Sequence, residues 1–171
     1  MAANLFTLGY ESASIEDFIS TLKLAQIDLI VDVRELPLSR RKGFSKNVLN
    51  ETLAANGIEY VHLKGLGDPK EGRDAAKSGN MAQFTRIFSS HMESDRAKAD
   101  LEIAIGLVQS KNACLLCYER NHQDCHRTIV AKAISHRTSQ HVKPIGVRKG
   151  IAASCDDRII IPMRDHEASF A

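Results

Sequence analysis

The sequence has little net charge, few cysteines and no long apolar run, and each shortage excludes a class of protein. Twenty-three Lys and Arg against 21 Asp and Glu leave a formal charge of only +2. That is too small a field to draw nucleic acid, so an anionic partner must be met by a local patch. Four cysteines in 171 residues lack framework spacing, which argues against a disulfide-stapled fold and for reduced thiols in a cytoplasm. No run is long enough to span a membrane, and the first residues lack the basic-then-apolar order of a secretory signal. The expectation is a cytoplasmic protein with no membrane partner.

What remains is the composition of a globular domain, 43% hydrophobic and 26% charged, long enough to bury a core. Short apolar strands are expected at residues 5–8, 28–34, 58–63, 113–118 and 141–147. The unbroken Leu-Ile-Val-Asp-Val run in the second is the pattern of a strand covered on both faces. Between them lie helical spacings. Ser14 and Asp17 form a capping-box-like start for Ile15, Phe18, Ile19 and Leu22. Ser45 can cap a helix whose buried stripe is Val48, Leu49, Thr52 and Leu53. Met81, Phe84, Ile87, Phe88 and Met92 make another stripe, and a further helix is expected over residues 97–108. Residues 65–79 read as a loop, too polar and broken for a regular element.

This alternation predicts an α/β fold, a three-layer sandwich with a mostly parallel sheet of about five strands. No internal repeat or linker divides it. Residues 1–150 are expected to form one domain. Residues 151–171 are expected to be a C-terminal extension, whose apolar run at 159–161 would make an added strand or a partner-facing arm.

In open α/β sheets, ligands bind beyond the carboxyl ends of the strands. Those ends carry Gly9-Tyr10, Asp32-Val33-Arg34, His62, and Tyr118-Glu119 followed by Cys125-His126-Arg127. With Asp124 as N-cap, Cys125 would feel the helix dipole and the Arg127 charge, both of which favour a thiolate; otherwise it packs under the turn. Arg127 opposes the dipole in that first turn, a placement explained by an anion between its guanidinium and the free N–H groups. Its other explanation is a salt bridge to Glu119 or Asp124.

Asp32 and Arg34 share a strand face and suit an internal ion pair. Arg34, with Ser39, Arg40, Arg41 and Lys42 after it, could instead supply a basic patch beside the strand end; the bland reading is a solvated face. Tyr10 and His62 carry weaker arguments. Cys114 and Cys117 form a C-x-x-C, but residues three apart on a strand face opposite ways. The C-x5-R spacing from Cys114 to Arg120 lacks the glycine that a phosphate loop needs. Cys117, His122, Cys125 and His126 offer metal ligands, but they match no common zinc spacing, and adjacent Cys125 and His126 chelate one ion poorly from a helix. No metal or cofactor is predicted.

Thr7-Leu8-Gly9-Tyr10, Asp32-Val33-Arg34 with Pro37 and Ser39, residues 57–63 with Leu66-Gly67, and Cys117…Glu119…Cys125-His126-Arg127 together resemble the domain of unknown function 488 family. The resemblance covers residues 5–147 and is specific as an ordered set. It implies a small bacterial or archaeal α/β domain without an established activity, with Cys-x-Glu…Cys-His-Arg as its hallmark. The sequence departs from the pattern at Asp68, where a second glycine is common, and in the tail from Gly150. The Val-Asp-Val-Arg-Glu run also resembles the opening of rhodanese domains, and that likeness goes no further.

Three functions compete. The first is a small enzyme acting on a phosphate-bearing, nucleotide-like substrate. Arg34, Arg127, Tyr10 and Ser39 would bind it, Glu119 or His126 would act as general acid/base, and Cys125 would be the nucleophile or the group that orients it. The second is a non-catalytic module whose cationic edge binds a nucleotide or nucleic acid. The third is a thiol redox sensor using Cys117 and Cys125.

Overall fold

The computed structural model describes residues 3–163. Five strands, β1 (Leu5–Gly9), β2 (Leu29–Asp32), β3 (Glu59–His62), β4 (Ala113–Cys117) and β5 (Val142–Ile145), form one sheet in the order β3-β2-β4-β1-β5. Every pairing is parallel. The burial pattern explains the order. All residues of β1, β2 and β4 are buried, as centre strands covered on both faces must be, whereas the edge strands β3 and β5 are partly exposed. Pro144 lies in β5, at the sheet edge, where a missing N–H is tolerated.

Among the described residues, six helices cover the sheet: α1 (Ile15–Leu24), α2 (Lys46–Ala55), α3 (Lys70–Lys77), α4 (Met81–Met92), α5 (Asp95–Val108) and α6 (His126–Thr138). On one face, Phe18, Ile19 and Leu22 of α1 with Leu49 and Leu53 of α2 pack on Phe6, Leu8, Ile30, Cys114 and Leu116. On the other, Ala75, Phe84, Phe88, Ile105, Val108, Val130 and Ile134 from α3 to α6 pack on Leu5, Val31, Val33 and Leu115. Alternate residues of each strand feed the two cores. The result is a three-layer α/β sandwich with an all-parallel sheet.

The structure corrects the expected loop at 65–79. It holds a short 3-10 turn, Lys64–Leu66, and then α3. Pro69 sits at the N-cap, Lys70 pairs with Asp74 one turn on, and small Gly72 and Ala75 form the buried side. Two small residues make so narrow an apolar stripe that hydrophobic spacing does not register it. Ser45 occupies the N-cap of α2 but makes no side-chain cap bond; its hydroxyl instead joins the backbone of Ser39.

Past β5, Ile151–Ser154 form a 3-10 turn held on α1 by Asp17, whose carboxylate accepts the N–H groups of Gly150 and Ala152 at 2.9 Å each. Residues 159–161, expected as an added strand or arm, pair with no strand among the described residues. Ile160 exchanges two backbone hydrogen bonds with the Asn56 side chain at the end of α2. The expected extension beyond residue 163 lies outside the described residues. Among those described, no helix is long and apolar enough to cross a membrane.

Candidate functional site at the carboxyl edge of the sheet

The chain leaves β1 and β2 toward the α1/α2 face but leaves β4, which lies between them, toward the α6 face. The loops therefore part over the end of β4, the switch point at which such sheets bind ligands. Gly9 makes the crossing possible. A Cβ there would lie 1.7 Å from the Glu119 carbonyl oxygen, so only glycine lets the loop after β4 run across the end of β1. Tyr10 and Glu11 donate their N–H groups to the Cys117 and Tyr118 carbonyls at 3.2 and 2.8 Å, fixing that loop from one side.

Arg127 fixes it from the other side. Its guanidinium donates to the carbonyls of Glu119 and Arg120, and the residue is 1% exposed. Its Nε is buried without a hydrogen-bond partner, whereas Arg34 is more fully committed. It forms a two-pronged pair with Asp32 at 2.9 and 2.7 Å and donates to the Phe44 carbonyl and the Tyr10 hydroxyl. Tyr60 completes the Asp32 shell at 2.6 Å. Both guanidiniums expected to hold an anion thus also act as structural clamps, because buried guanidiniums need acceptors and the nearest are carbonyls and Asp32, while Arg34 still lines the cavity over β4. Tyr10 stacks on Phe44 with ring centroids 4.4 Å apart. The Ser39 hydroxyl accepts the Arg41 N–H. His62 lies against the Arg34 carbonyl, 2.7 Å away.

Cys117, Glu119, Cys125 and His126 come together. The Cys117 thiol donates to Glu119 Oε2 at 3.0 Å, and His126 Nδ1 lies 3.7 Å from both Cys117 Sγ and Cys125 Sγ. The other ring nitrogen, Nε2, faces the Val33 carbonyl at 2.7 Å, and Phe88 packs edge-on against the ring. The expected Asp124 cap is corrected here. Cys125 is the N-cap of α6, with extended backbone (φ −125°, ψ 140°), and its sulfur accepts the Arg127 N–H at 3.5 Å. This geometry removes the objection to adjacent Cys125 and His126 acting together, because only His126 belongs to the helix.

The expected acidity of Cys125 is also corrected. Burial pushes its thiol well above the ordinary range, and the neighbouring Cys117 adds to the effect. Cys114, on the opposite face, is raised by burial to about 12. Burial would lift Glu119 too, but hydrogen bonds from the Cys117 thiol, its own backbone N–H and Cys125 hold it below the ordinary carboxylate range.

Cys117, Glu119 and His126 floor a cavity of about 800 Å³, with Cys125 buried beside them. Asp68 joins the floor. Burial lifts its carboxyl to about 6, although His126 and Arg73 oppose the shift, and its Oδ1 is buried without a hydrogen-bond partner. The rim carries Arg40, Arg41, Lys42 and Lys77, with the exposed ring of Tyr118 beside them. Arg73 bridges Glu35 and the Asp68 carbonyl. Sequence reasoning misses Asp68, Arg73 and Lys77 as site residues. The one available signal was Asp68 itself, standing where the family pattern has glycine.

Fold and site together define an all-parallel α/β domain with a thiol, imidazole and carboxylate cluster at its carboxyl edge. The chain belongs to the family described as domain of unknown function DUF488, whose model matches residues 14–134. That span includes every floor residue of the cavity. No curated protein and no solved structure matches the chain.

Proposed function

We propose that this protein is a small cytoplasmic enzyme acting on a phosphate-bearing, nucleotide-like substrate in the cavity over β4. The observation that carries this reading is the cavity's polarity. Its floor holds two carboxylates, Asp68 and Glu119, with Cys117 and His126, and its mouth holds Arg40, Arg41, Lys42 and Lys77. A substrate with one anionic end and one reactive end fits that division. The rim cations would bind the phosphate, and the exposed Tyr118 ring offers a face for a planar base.

Glu119 is the general acid/base of this proposal, because its carboxylate opens to the cavity while the Cys117 thiol orients it. Asp68 is the second carboxylate beside it. Arg34 and Arg127 serve as positioning residues, since their donors hold Asp32, Tyr10 and the loop at residues 119–120. Cys125 is buried and does not line the cavity, which favours acid/base chemistry over attack by its thiol.

The test is a panel of nucleoside mono- and diphosphates, read by calorimetry and by chromatography of products. Turnover of at least one, lost in Glu119→Gln with binding retained, supports the reading. Lys42→Ala and Arg40→Ala should raise the Kd without changing the product. Binding without turnover would leave a nucleotide-binding module instead. No binding by wild type at millimolar concentration would remove the nucleotide reading.

A further inference from the structure

We infer that Cys117, Cys125 and His126 form a zinc-type metal site at the floor of the cavity. Their ligand atoms all lie within 4.8 Å of one another and are buried. The spacing suits a single ion. With Zn–S near 2.3 Å and Zn–N near 2.0 Å, a tetrahedral centre separates its sulfur and nitrogen ligands by about 3.6 Å. Both measured separations, Cys117 Sγ to His126 Nδ1 and Cys125 Sγ to His126 Nδ1, are 3.7 Å. The two sulfurs, no more than 4.8 Å apart, need only settle to the roughly 3.8 Å of a tetrahedral centre for an ion to fit.

Three further features favour a cation. The Val33 carbonyl takes the Nε2–H of His126, which turns Nδ1 toward the two sulfurs; a backbone acceptor behind a ligating imidazole is the usual support for such a ligand. The backbone N–H of Arg127 points at Cys125 Sγ, where it would stabilise a thiolate. Glu119 Oε2 lies 3.0 Å from Cys117 Sγ, yet among the described residues no Lys or Arg forms an ion pair with Glu119. Two thiols, an imidazole nitrogen and a carboxylate are thus gathered in one place, where among the described residues no Lys or Arg pairs with the carboxylate.

Binding releases the two thiol protons, and any proton on Nδ1, to solvent, and the two thiolates neutralise the divalent ion. Two Cys and one His leave a fourth position, the ligand count of catalytic rather than structural zinc. Cys117, Glu119 and His126 all line the cavity, so that position faces substrate and is open to water or to Glu119. A role for the ion in turnover rests on the enzyme reading above; metal binding does not.

The test uses Co2+ and Zn2+ on the full chain with its thiols reduced and counted. Wild type should bind one Co2+ with a thiolate-to-cobalt charge-transfer band and the visible bands of a tetrahedral ion, and Zn2+ should bleach both. Cys117→Ser and Cys125→Ser should each abolish the charge-transfer band, while Cys155→Ser leaves it unchanged. Should either variant fail to fold, alkylation of wild type decides: Zn2+ should protect Cys117 and Cys125 but not Cys155, read by mass spectrometry. The site is refuted if folded, reduced wild type takes up neither ion at millimolar concentration. It is equally refuted if the band survives in folded Cys117→Ser and Cys125→Ser, or if Zn2+ leaves the alkylation pattern unchanged. Metal uptake without turnover of any nucleotide would uphold the site and reject the enzyme reading, so the two fail separately.

Discussion

His126 Nε2 lies 2.7 Å from the carbonyl oxygen of Val33, tying the first residue of α6 to the end of β2. The bond decides the chemistry of the ring, because it leaves Nδ1 to the two thiols. It also joins two segments 93 residues apart, so the cluster exists only once β2 and β4 are paired.

The Asp32–Arg34 pair should carry a large share of local stability. Asp32 is fully buried and accepts two guanidinium bonds and the Tyr60 hydroxyl. Asp32→Ala strands a buried cation, and the expected loss is about 3–5 kcal/mol. Urea denaturation measures it. A loss below about 1 kcal/mol would mean that water reaches Arg34 and replaces its partner.

Gly9→Ala should displace the loop after β4, since the new Cβ would lie 1.7 Å from the Glu119 carbonyl oxygen. That neighbour is backbone, so relief requires moving the loop, at about 1–3 kcal/mol or more. In a chain of this length, each kcal/mol lowers Tm by about 2–4 °C. An unchanged Tm would show that the loop passes β1 at a greater distance.

Arg127→Ala should destabilise the domain by about 2–4 kcal/mol, by leaving the Glu119 and Arg120 carbonyls without their donor and a cavity behind. This outcome separates a clamp from an anion binder, whose loss would weaken sulfate or phosphate binding at nearly unchanged stability. Chemical denaturation and anion titration of the same variant read both.

Asp17 predicts an acid limb in the stability profile. Hydrogen bonds from Ala152 and Gly150 hold its carboxyl below the ordinary value. A depressed folded pKa makes the unfolded chain the tighter proton binder, so its stabilisation is complete above the unfolded value of about 3.9. It is lost as pH falls from there through the lower folded value. Asp17→Asn should flatten that limb and cost about 1–3 kcal/mol at neutral pH. Urea titrations from neutral pH to below the carboxylate range measure this. Parallel wild-type and variant profiles would show that Asp17 does not clamp the turn at residues 151–154.

Local pattern determined the α/β class, the five strands and most of the helices of this protein. An apolar run covered on both faces, or an apolar stripe at helical spacing, is written in consecutive residues. The convergence of Gly9, Asp32, Arg34, Glu119, Cys125 and His126 at one edge was legible for the same reason, since strand ends in a parallel sheet lie together. What each side chain does there was not legible. Arg34 and Arg127 were expected to bind an anion, and tertiary packing turned both toward interior acceptors, because a buried charge binds the nearest oxygen. Cys125 was expected to be acidic from its helix position, and burial instead pushes its thiol up. Asp68 reached the floor just ahead of α3, a helix whose small buried residues left no apolar signature. The 3.7 Å spacing around His126 depends on a carbonyl from β2 and a cap conformation at Cys125, contacts that only the assembled sheet supplies.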